Sequence, residues 1–381
     1  MTDSQYSPPP APTHAAAAFA PPSVPEVAPL TYDHSLSHVP GWWRGLLAII
    51  TFVVGFFIVS TVLGAIAIGV EMSTGAITFD EIASGVVPFT PLVMLLNNLS
   101  LAACIPLAML LQRAFFGVPM RSLSSVVGRF RWRWMGRLAL IIVPVWIVYV
   151  GCSLLLEPGG EVTLDGGVLL MLAIVVITTP LQSAGEEYGA RGLILRSAAS
   201  WFRSPWLAFA VGVVISSSLF SLAHFAADWW LIAYYFVFGA SAALAARGTG
   251  GLEAPVLIHA TNNVLLFIPA VLFGQLAEGI DRSEGTGGPF MLIPMALCLA
   301  AAGLSTWWAR RNKVTVIAPP PARIVKAPPV QQWMPPVQDA GAPPAPGAMP
   351  APPVPPAPGA VPPAGQSGPS VPPAPPAPPL P

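Results

Sequence analysis

Two adjacent carboxylates and an arginine interrupt a long apolar part of the chain. Glu186, Glu187 and Arg191 follow a stretch, residues 167–181, that contains no charged side chain. A charged group at membrane depth costs at least a few kcal/mol, so it usually faces a partner or a water-filled cavity. On a helix, Glu187 and Arg191 are four residues apart and share a face, which predicts an ion pair. Glu186 has no acidic or basic neighbour one turn away, so it is predicted to be a free carboxylate.

Two histidines and an amide follow in the same apolar region. His224 ends the stretch 220–224, and His259 lies four residues before Asn263, so His259 and Asn263 share a helix face. A carboxylate can take a proton from water, and imidazole or amide groups can stabilise a developing oxyanion. This set therefore predicts hydrolytic chemistry. Glu186, His224 and His259 could also hold a divalent metal such as zinc, because Glu and His are ordinary zinc ligands.

The composition of the chain predicts a membrane protein. Of its 381 residues, 54% are hydrophobic and only 9% are charged, whereas about a quarter of the residues of a soluble domain are charged. Basic and acidic residues cancel, 17 against 17, so the net charge predicts no nucleic-acid partner. The three cysteines each lie in an apolar run, which argues against a disulfide framework.

Eight apolar runs have close to the roughly 20 residues that a spanning helix needs. They lie near residues 45–70, 91–112, 135–156, 167–186, 205–225, 229–247, 252–274 and 289–309. The predicted fold class is therefore all-α, a polytopic bundle of about eight transmembrane helices that spans the lipid bilayer.

The charges of the connecting loops predict an orientation. Six arginines lie between residues 113 and 137, after the second run, and Arg310, Arg311 and Lys313 follow the last run. Acidic residues dominate the alternate loops. Lys and Arg collect on the cytoplasmic side of a membrane protein, so the pattern predicts a multi-pass protein with both termini in the cytoplasm.

Proline-rich and alanine-rich tails flank the predicted membrane domain. Residues 1–40 and 313–381 are predicted to be disordered, and residues 41–312 to form the transmembrane domain, with the polar motifs in a core at 165–275. His14, His34 and His38 belong to the first tail and are predicted to be inert. The second tail is expected to be a solvated spacer, with docking of a proline-recognition module as the alternative.

Three short motifs in fixed order carry a family resemblance. They are Glu-Glu-x-x-x-Arg at 186–191, Phe-x-x-x-His at 220–224 and His-x-x-x-Asn at 259–263. Together they resemble the intramembrane CAAX-protease and bacteriocin-processing family, whose eukaryotic relative is the Ras-converting CAAX endopeptidase. The resemblance covers about residues 165–275, and neither tail belongs to it.

The resemblance implies a catalytic role for each polar residue. Glu186 would be the general base that activates the hydrolytic water, and His224 would position the water or share its proton. His259 and Asn263 would line an oxyanion site, and Glu187 with Arg191 would support them. The implied enzyme is an intramembrane endopeptidase acting on a membrane-associated or lipidated peptide. Whether it is a glutamic protease or depends on a metal is left open.

Two other classes of function stay open at this level. The chain could be a non-catalytic membrane scaffold or bacteriocin immunity protein with the same fold, or a transporter that uses the buried carboxylate. Internal repeats of the kind that transporters show are not evident. The serines at 216–218 and Ser221 suggest a serine nucleophile, but no partner for one stands out, and small polar residues commonly mediate helix contacts.

One feature of the predicted topology conflicts with catalysis. If the fourth and fifth runs cross the membrane as placed above, Glu186 and His224 lie near opposite faces. A shared site requires either that the fourth helix continue to about Ala198 or that the fifth be displaced inward. The apolar residues 192–195 favour the longer fourth helix.

Overall fold

The computed structural model describes residues 28–83, 87–156, 159–278 and 281–324. Within these ranges the chain is mostly helical, with a single pair of two-residue strands. The elements are β1 (Leu30–Thr31), α1 (Trp42–Thr74), α2 (Phe79–Ala83), α3 (Pro91–Ala102), α4 (Cys104–Phe116), α5 (Trp132–Leu156), α6 (Gly166–Glu187), α7 (Leu195–Ala199), α8 (Pro205–Leu222), α9 (Trp229–Thr249), α10 (Glu253–Leu272), α11 (Leu292–Arg311) and β2 (Ile317–Ala318).

Eight helical segments of the described chain are long and apolar enough to cross a membrane. Two of them combine elements, because α3 and α4 form one segment (Pro91–Phe116), as do α6 and α7 (Gly166–Ala199). Many of their large apolar side chains are exposed, for example Leu140 on α5, which is 78% exposed. A soluble monomer rarely exposes an apolar surface of this extent. The predicted all-α bundle of eight spans is confirmed, and the protein is a multi-pass membrane protein.

The helices that carry the polar motifs lie against one another inside the bundle. α10 packs on α5 and α6, and α3 packs on the other side of α6. α8 packs on α9, which also contacts α11. Asp165 caps α6, since its side-chain oxygen accepts a hydrogen bond from the amide of Val168 at 2.8 Å. This cap sets the start of α6, the helix that carries Glu186 and Glu187.

The fourth span is longer than the 167–186 predicted from hydropathy. α6 runs into a π-helical stretch, Tyr188–Ile194, and then into α7, so helical structure continues to Ala199. Of the two topologies considered above, the longer fourth helix is the one observed. Glu186 therefore lies well inside the span rather than at its end. Stretches of π-helix are rare and often occur at functional sites.

A glycine allows α6 to approach α3 at this point. A Cβ atom on Gly185 would overlap the carbonyl oxygen of Leu101 at the end of α3, so the two backbones are in direct contact. Gly189, about one turn later, lies directly against the side-chain ring of Phe52 on α1. Small residues of this kind permit close helix packing in membranes. They fix the position of the Glu186–Glu187 pair against α1 and α3.

Part of the first tail is folded, contrary to the prediction of disorder for residues 1–40. In the segment 28–40, Tyr32, Asp33 and Leu36 are fully buried. Arg196 of α7 donates to the carbonyl oxygen of Tyr32 at 3.2 Å, and Asp33 forms a 2.6 Å ion pair with Arg247 of α9. The average composition of the tail hid these polar anchors. Residues 1–27 lie outside the described residues.

The start of the second tail is folded as well. β2 pairs antiparallel with β1, with Leu30 opposite Ala318 and Thr31 opposite Ile317. The carbonyl of Thr315 accepts a hydrogen bond from Arg131 at 3.0 Å. The prediction of disorder for 313–381 is therefore wrong for 313–324, and the remainder, including the proposed docking site for a proline-recognition module, lies outside the described residues. Because the two flanking segments meet, they lie at the same end of the bundle, as an even number of spans requires.

Candidate active site

The predicted ion pair between Glu187 and Arg191 is present and fully buried. Arg191 donates through Nη1 to Oε1 of Glu187 at 2.9 Å, and neither side chain is exposed. The Nδ1 atom of His259, on α10, lies 2.8 Å from the same carboxylate oxygen. A carboxylate can only accept in this contact, so Nδ1 of His259 carries the proton. Glu187 thereby orients the ring of His259 and ties α10 to α6.

Arg191 also connects the π-helical stretch to two further helices. Its Nε donates to the carbonyl oxygen of Gly239 on α9, at 3.4 Å. Its guanidinium lies 4.3 Å from the centre of the Phe220 ring on α8, which is within the range of a cation–π contact. The phenylalanine of the second motif thus packs on the arginine of the first. The sequence placed these residues in separate motifs, and the fold brings them into contact.

Glu186 takes no part in the ion pair of Glu187 with Arg191 and has a hydrogen-bond partner of its own. Its Oε1 accepts a hydrogen bond from Nε2 of Gln182, one turn earlier on α6. Its Oε2 is buried, has no hydrogen-bond partner among the described residues, and lies 3.6 Å from Nε2 of His259. Nε2 of His259 therefore faces a carboxylate oxygen across a gap wider than a hydrogen bond.

Gln182 is a site residue that the sequence analysis missed. Besides donating to Glu186, it accepts through Oε1 from Nδ2 of Asn263 at 3.3 Å. The expectation that Glu186 is free was wrong in this respect, because an uncharged side chain one turn away is its hydrogen-bond partner. The signal was available in the sequence, because Gln182 precedes Glu186 by four residues. Gln182 joins Glu186 to Asn263 in one network.

The two adjacent asparagines of α10 have different partners. Asn263 lies beside Gln182, whereas the Oδ1 atom of Asn262 accepts from Nε1 of Trp146 on α5 at 3.2 Å. Asn262 also donates to Oδ1 of Asn263 at 3.1 Å. Asn263 is therefore the asparagine that reaches the Glu186 network, as the helical spacing from His259 predicted.

His224 lies just beyond the end of α8 and shares a cavity with Glu186. Its Nδ1 lies 2.8 Å from the carbonyl oxygen of Phe220, and its ring stacks on Tyr235 at 3.8 Å. Since a carbonyl only accepts, Nδ1 donates and Nε2 is the atom left for other contacts. Burial lowers the pKa of His224 to about 3, so the ring is neutral at physiological pH. In the described part of the chain, no hydrogen bond joins His224 to Glu186.

The residue after His224 has an unusual backbone conformation. Phe225 has a φ of 50°, in the left-handed region that bulky side chains rarely adopt. Its ring is 75% exposed and meets the edge of the Phe57 ring of α1, with the ring centres 6.3 Å apart. Strained conformations of this kind persist where surrounding contacts impose them, often at functional sites. Phe225 turns the chain at the rim of the cavity.

The cavity has a volume of about 1050 Å³ and is largely apolar. α1, α3, α4, α6 and α8 contribute to its wall, together with the loop that follows α8. Its polar lining includes Gln182, Glu186, His224 and Arg282. This volume is at the upper end of the range for small-molecule pockets. The candidate site is therefore an apolar chamber with a few polar groups.

The described residues contain no ready-made group of three or more His, Cys, Asp or Glu side chains that could hold a metal ion. His259 and His224 each use Nδ1 for a protein partner, Glu187 and the carbonyl oxygen of Phe220. Nε2 of each ring is left for other contacts, which is the arrangement of a histidine that binds a metal through Nε2. Whether Glu186, His224 and His259 hold a metal stays a prediction.

The serines of α8 are used for helix contacts. Ser221 donates to the carbonyl oxygen of Ile232 on α9 at 2.9 Å, and Ser216 bonds to its own helix at Val213. Ser217 lies against Gly239 of α9. These contacts agree with the packing role expected of small polar residues in membrane helices.

The part of the chain that contains this site matches a known family. Residues 166–265 match the family model described as type II CAAX prenyl endopeptidase, Rce1-like. The resemblance to the CAAX endopeptidases is confirmed over these residues. The Rce1-like segment runs from the start of α6 into α10, and so contains all three motifs, from Glu186 to Asn263.

A curated protein also matches part of the chain. The chain is 27% identical over 154 residues to the uncharacterized protein YyaK of Bacillus subtilis (strain 168). The match covers 38% of this chain and 50% of YyaK, so it spans about half the length of this relative. No solved structure gives a significant match to the chain.

Proposed function

We propose that the protein is an intramembrane endopeptidase in which Glu186 activates the hydrolytic water. The observation that carries the proposal is the position of Glu186 Oε2, which is without a hydrogen-bond partner among the described residues and faces Nε2 of His259 at 3.6 Å. A water molecule held there would donate a hydrogen to Oε2 of Glu186 and contact Nε2 of His259. The Rce1-like match over residues 166–265 supports this class of activity.

The proposed reaction needs only groups that the site contains. Glu186 takes a proton from the water as the water oxygen attacks the carbonyl carbon of the scissile peptide bond. The carbon–nitrogen bond of the tetrahedral intermediate then breaks, and Glu186 returns the proton to the leaving amine. Gln182 orients the carboxylate of Glu186 by donating through its Nε2 to Oε1 of Glu186, which leaves Oε2 of Glu186 for the water. Glu187 engages Nδ1 of His259, which leaves Nε2 to contact the same water.

We assign stabilisation of the oxyanion to Asn263 and a positioning role to His224. Asn263 contributes an Nδ2 group that lies near Gln182, and His224 contributes a neutral ring at the end of α8. Donors fixed before the reaction lower the barrier, because they need no reorganisation when charge develops. In this role Nδ2 of Asn263 donates to the oxyanion, whereas His224 positions the peptide or the water.

The cavity suggests the class of substrate. Its walls are mainly apolar, its volume is about 1050 Å³, and it lies within a membrane protein. A peptide with apolar side chains, or one with a lipid group beside the scissile bond, would be stabilised there by removal of apolar surface from water. We therefore propose a membrane-associated or lipidated peptide as substrate. The charges of the connecting loops support a second proposal, that both termini lie in the cytoplasm.

The experiment that tests the proposal is cleavage of membrane-anchored peptides by the purified protein in lipid nanodiscs. Wild type is compared with Glu186→Gln, which preserves the size of the side chain and the hydrogen bond to Gln182 but cannot act as a base. We expect a loss of at least about a hundredfold in rate, the lower range for general base catalysis. A matched control is Glu161→Gln, because Glu161 is exposed and lies outside the cavity.

The same assay separates the remaining possibilities. Inhibition by a chelator, reversed by added zinc, would support a metal requirement. Equal cleavage by wild type and Glu186→Gln would refute Glu186 as the base. Binding of the peptides without any cleavage by the folded wild type would favour the scaffold or immunity function.

A further inference from the structure

The two ends of the helix bundle contribute differently to the cavity of the candidate site. The tail end of the bundle is the end where the folded segments 28–40 and 313–324 meet, and the mouth end is the opposite one. The lining residues that lie in loops belong to the mouth end: Phe89 before α3, residues 223–227 after α8, and Arg282 before α11. Among the described residues, no loop of the tail end lines the cavity. The cavity therefore extends from the site towards the mouth end.

The cavity lining is exposed at the mouth end and buried at its other limit. Phe225 and Ala227, in the loop after α8, are both exposed. On the spans formed by α1, by α3 with α4 and by α6 with α7, the lining residue closest to the tail end is buried. These residues are Phe52, Cys104 and Ile194, which are 7%, 3% and 4% exposed. The cavity thus opens at the mouth end and has a closed floor.

Bonded polar side chains pack the bundle between this floor and the tail end. Arg196 of α7 is buried and donates to Oε1 of Gln112 on α4 and, at 2.8 Å, to the hydroxyl of Ser35 in the first tail. At the start of α10, the buried carboxylate of Glu253 forms a 2.7 Å ion pair with Arg131. These contacts separate the candidate site from the solution at the tail end. A substrate and the hydrolytic water therefore have an open route at the mouth end.

The charges of the protein assign the two ends to the two sides of a membrane. Among the described residues, every Lys and Arg except Arg191 and Arg282 lies at or near the tail end. Acidic side chains dominate the connections at the mouth end, for example Asp80, Glu161 and Glu284. Because Lys and Arg collect on the cytoplasmic side, the tail end is assigned to the cytoplasm. The mouth of the cavity then opens on the other side of the membrane.

We propose that the protein cleaves peptides that reach it from the non-cytoplasmic side of the membrane. Such a peptide enters at the mouth end, places its apolar part in the chamber and brings its scissile bond to Glu186. A peptide confined to the cytoplasmic side meets the closed tail end, and its charged groups make crossing the bilayer costly. This inference rests on the proposed peptidase function and assigns it a substrate class, peptides held in or beside the non-cytoplasmic leaflet.

The side on which the cavity opens can be measured without any cleavage. Cys152→Ser is the background, because Cys152 is exposed whereas Cys104 and Cys298 are buried. Into it we place Ala227→Cys, at the rim of the cavity, or the matched control Ser204→Cys, exposed in the loop between α7 and α8. Intact cells that express each variant are treated with a maleimide that cannot cross membranes. We expect Ala227→Cys to react in intact cells and Ser204→Cys to react only after the cells are permeabilised.

The side from which a substrate is cut is measured in oriented vesicles. The full chain with an affinity tag after Pro381 is reconstituted into phosphatidylcholine vesicles, and vesicles whose tags face outward are separated by capture. The probe is a lipid-anchored fluorogenic peptide, flanked by lysines and cleaved by the detergent-solubilised protein, which is added outside. We expect cleavage by vesicles whose tags face inward and its loss in vesicles whose tags face outward. Dissolving both sets in detergent should make their rates equal, and Glu186→Gln should abolish cleavage in both.

The outcomes separate this inference from the proposed function. Labelling of Ser204→Cys but not Ala227→Cys in intact cells, labelling of both, or a rim cysteine that stays unreactive after permeabilisation would each overturn the inference. Equal or faster cleavage by vesicles with outward tags would overturn it too, and if that cleavage depends on Glu186 the peptidase function survives. Cleavage from the expected side that persists in Glu186→Gln would instead support the inference and remove Glu186 as the base.

Discussion

The buried pair between Glu187 and Arg191 gives the sharpest energetic prediction. Arg191→Met removes the guanidinium but keeps an apolar side chain of similar length, so the buried space is largely refilled. Glu187 would then retain the hydrogen bond from His259, while its charge would lose the fully buried cation 2.9 Å away. We expect the free energy of unfolding to fall.

The size of the effect follows from what each contact contributes. Breaking a buried ion pair by removing one partner costs about 3–5 kcal/mol, because the other charge stays buried. The contact of Arg191 with the Phe220 ring, at 4.3 Å, adds about 0.5–2 kcal/mol. The bond that remains from His259 offsets part of this loss. We therefore expect Arg191→Met to destabilise the protein by about 4 kcal/mol.

A double-mutant cycle tests whether the pair itself is responsible. Glu187→Gln leaves the guanidinium unpaired and should cost about 3 kcal/mol for the same reason. In the double variant no uncompensated charge stays in the core, so its cost should be less than the sum of the single costs by about 1–3 kcal/mol. The assay is reversible unfolding in mixed micelles with added denaturing detergent, followed by circular dichroism of the helices.

The control and the refuting result are both specific. Arg203→Met removes an exposed arginine far from the pair and should change stability by less than about 0.5 kcal/mol. If the cost of the double variant equals the sum of the two single costs, Glu187 and Arg191 are not energetically coupled. The ion pair would then not be what stabilises this part of the fourth span.

Two further predictions concern helix packing and the first tail. Gly185→Ala should cost about 1–3 kcal/mol and reduce peptide cleavage, because the added methyl group overlaps the backbone of Leu101. Gly136→Ala, where a methyl group meets nothing, should be neutral or stabilising. An unchanged unfolding free energy in Gly185→Ala would contradict the close contact of α6 with α3. Arg196→Met removes the buried cation that bonds residues 32 and 35, so limited proteolysis of the segment 28–40 should be at least about tenfold faster than in Arg203→Met. Equal rates would show that Arg196 does not anchor this segment.

Most of the architecture could be predicted from hydropathy. All eight spans were found, because each needs a run of apolar residues that few soluble segments contain. The predicted end of a span is wrong where charged residues lie inside the helix. The fourth span was ended at residue 186 because charged residues followed, whereas the helix continues to Ala199 with Glu187 and Arg191 paired inside it. A paired charge no longer ends a membrane helix, and pairing is invisible to a hydropathy average.

The folded parts of the tails could not be found by the same reasoning. Composition classified residues 28–40 with the proline-rich leader, although Tyr32, Asp33 and Leu36 are buried. Their partners, Arg196 and Arg247, lie more than 150 residues away. Contacts at such separation depend on how the helices pack, and a local average of sequence contains no information about them.

The sequence by itself determined the class of fold and indicated the candidate reactive groups. Helical spacing was sufficient to pair Glu187 with Arg191 and to place Asn263 on the face of His259, because an α-helix repeats every 3.6 residues. Only the tertiary structure decided how the groups meet. It sets His259 between the two glutamates, makes Gln182 the link to Asn263, and brings Arg282 to the cavity. These relations join separate helices, and their geometry follows from close packing such as that at Gly185, which no spacing along one helix can specify.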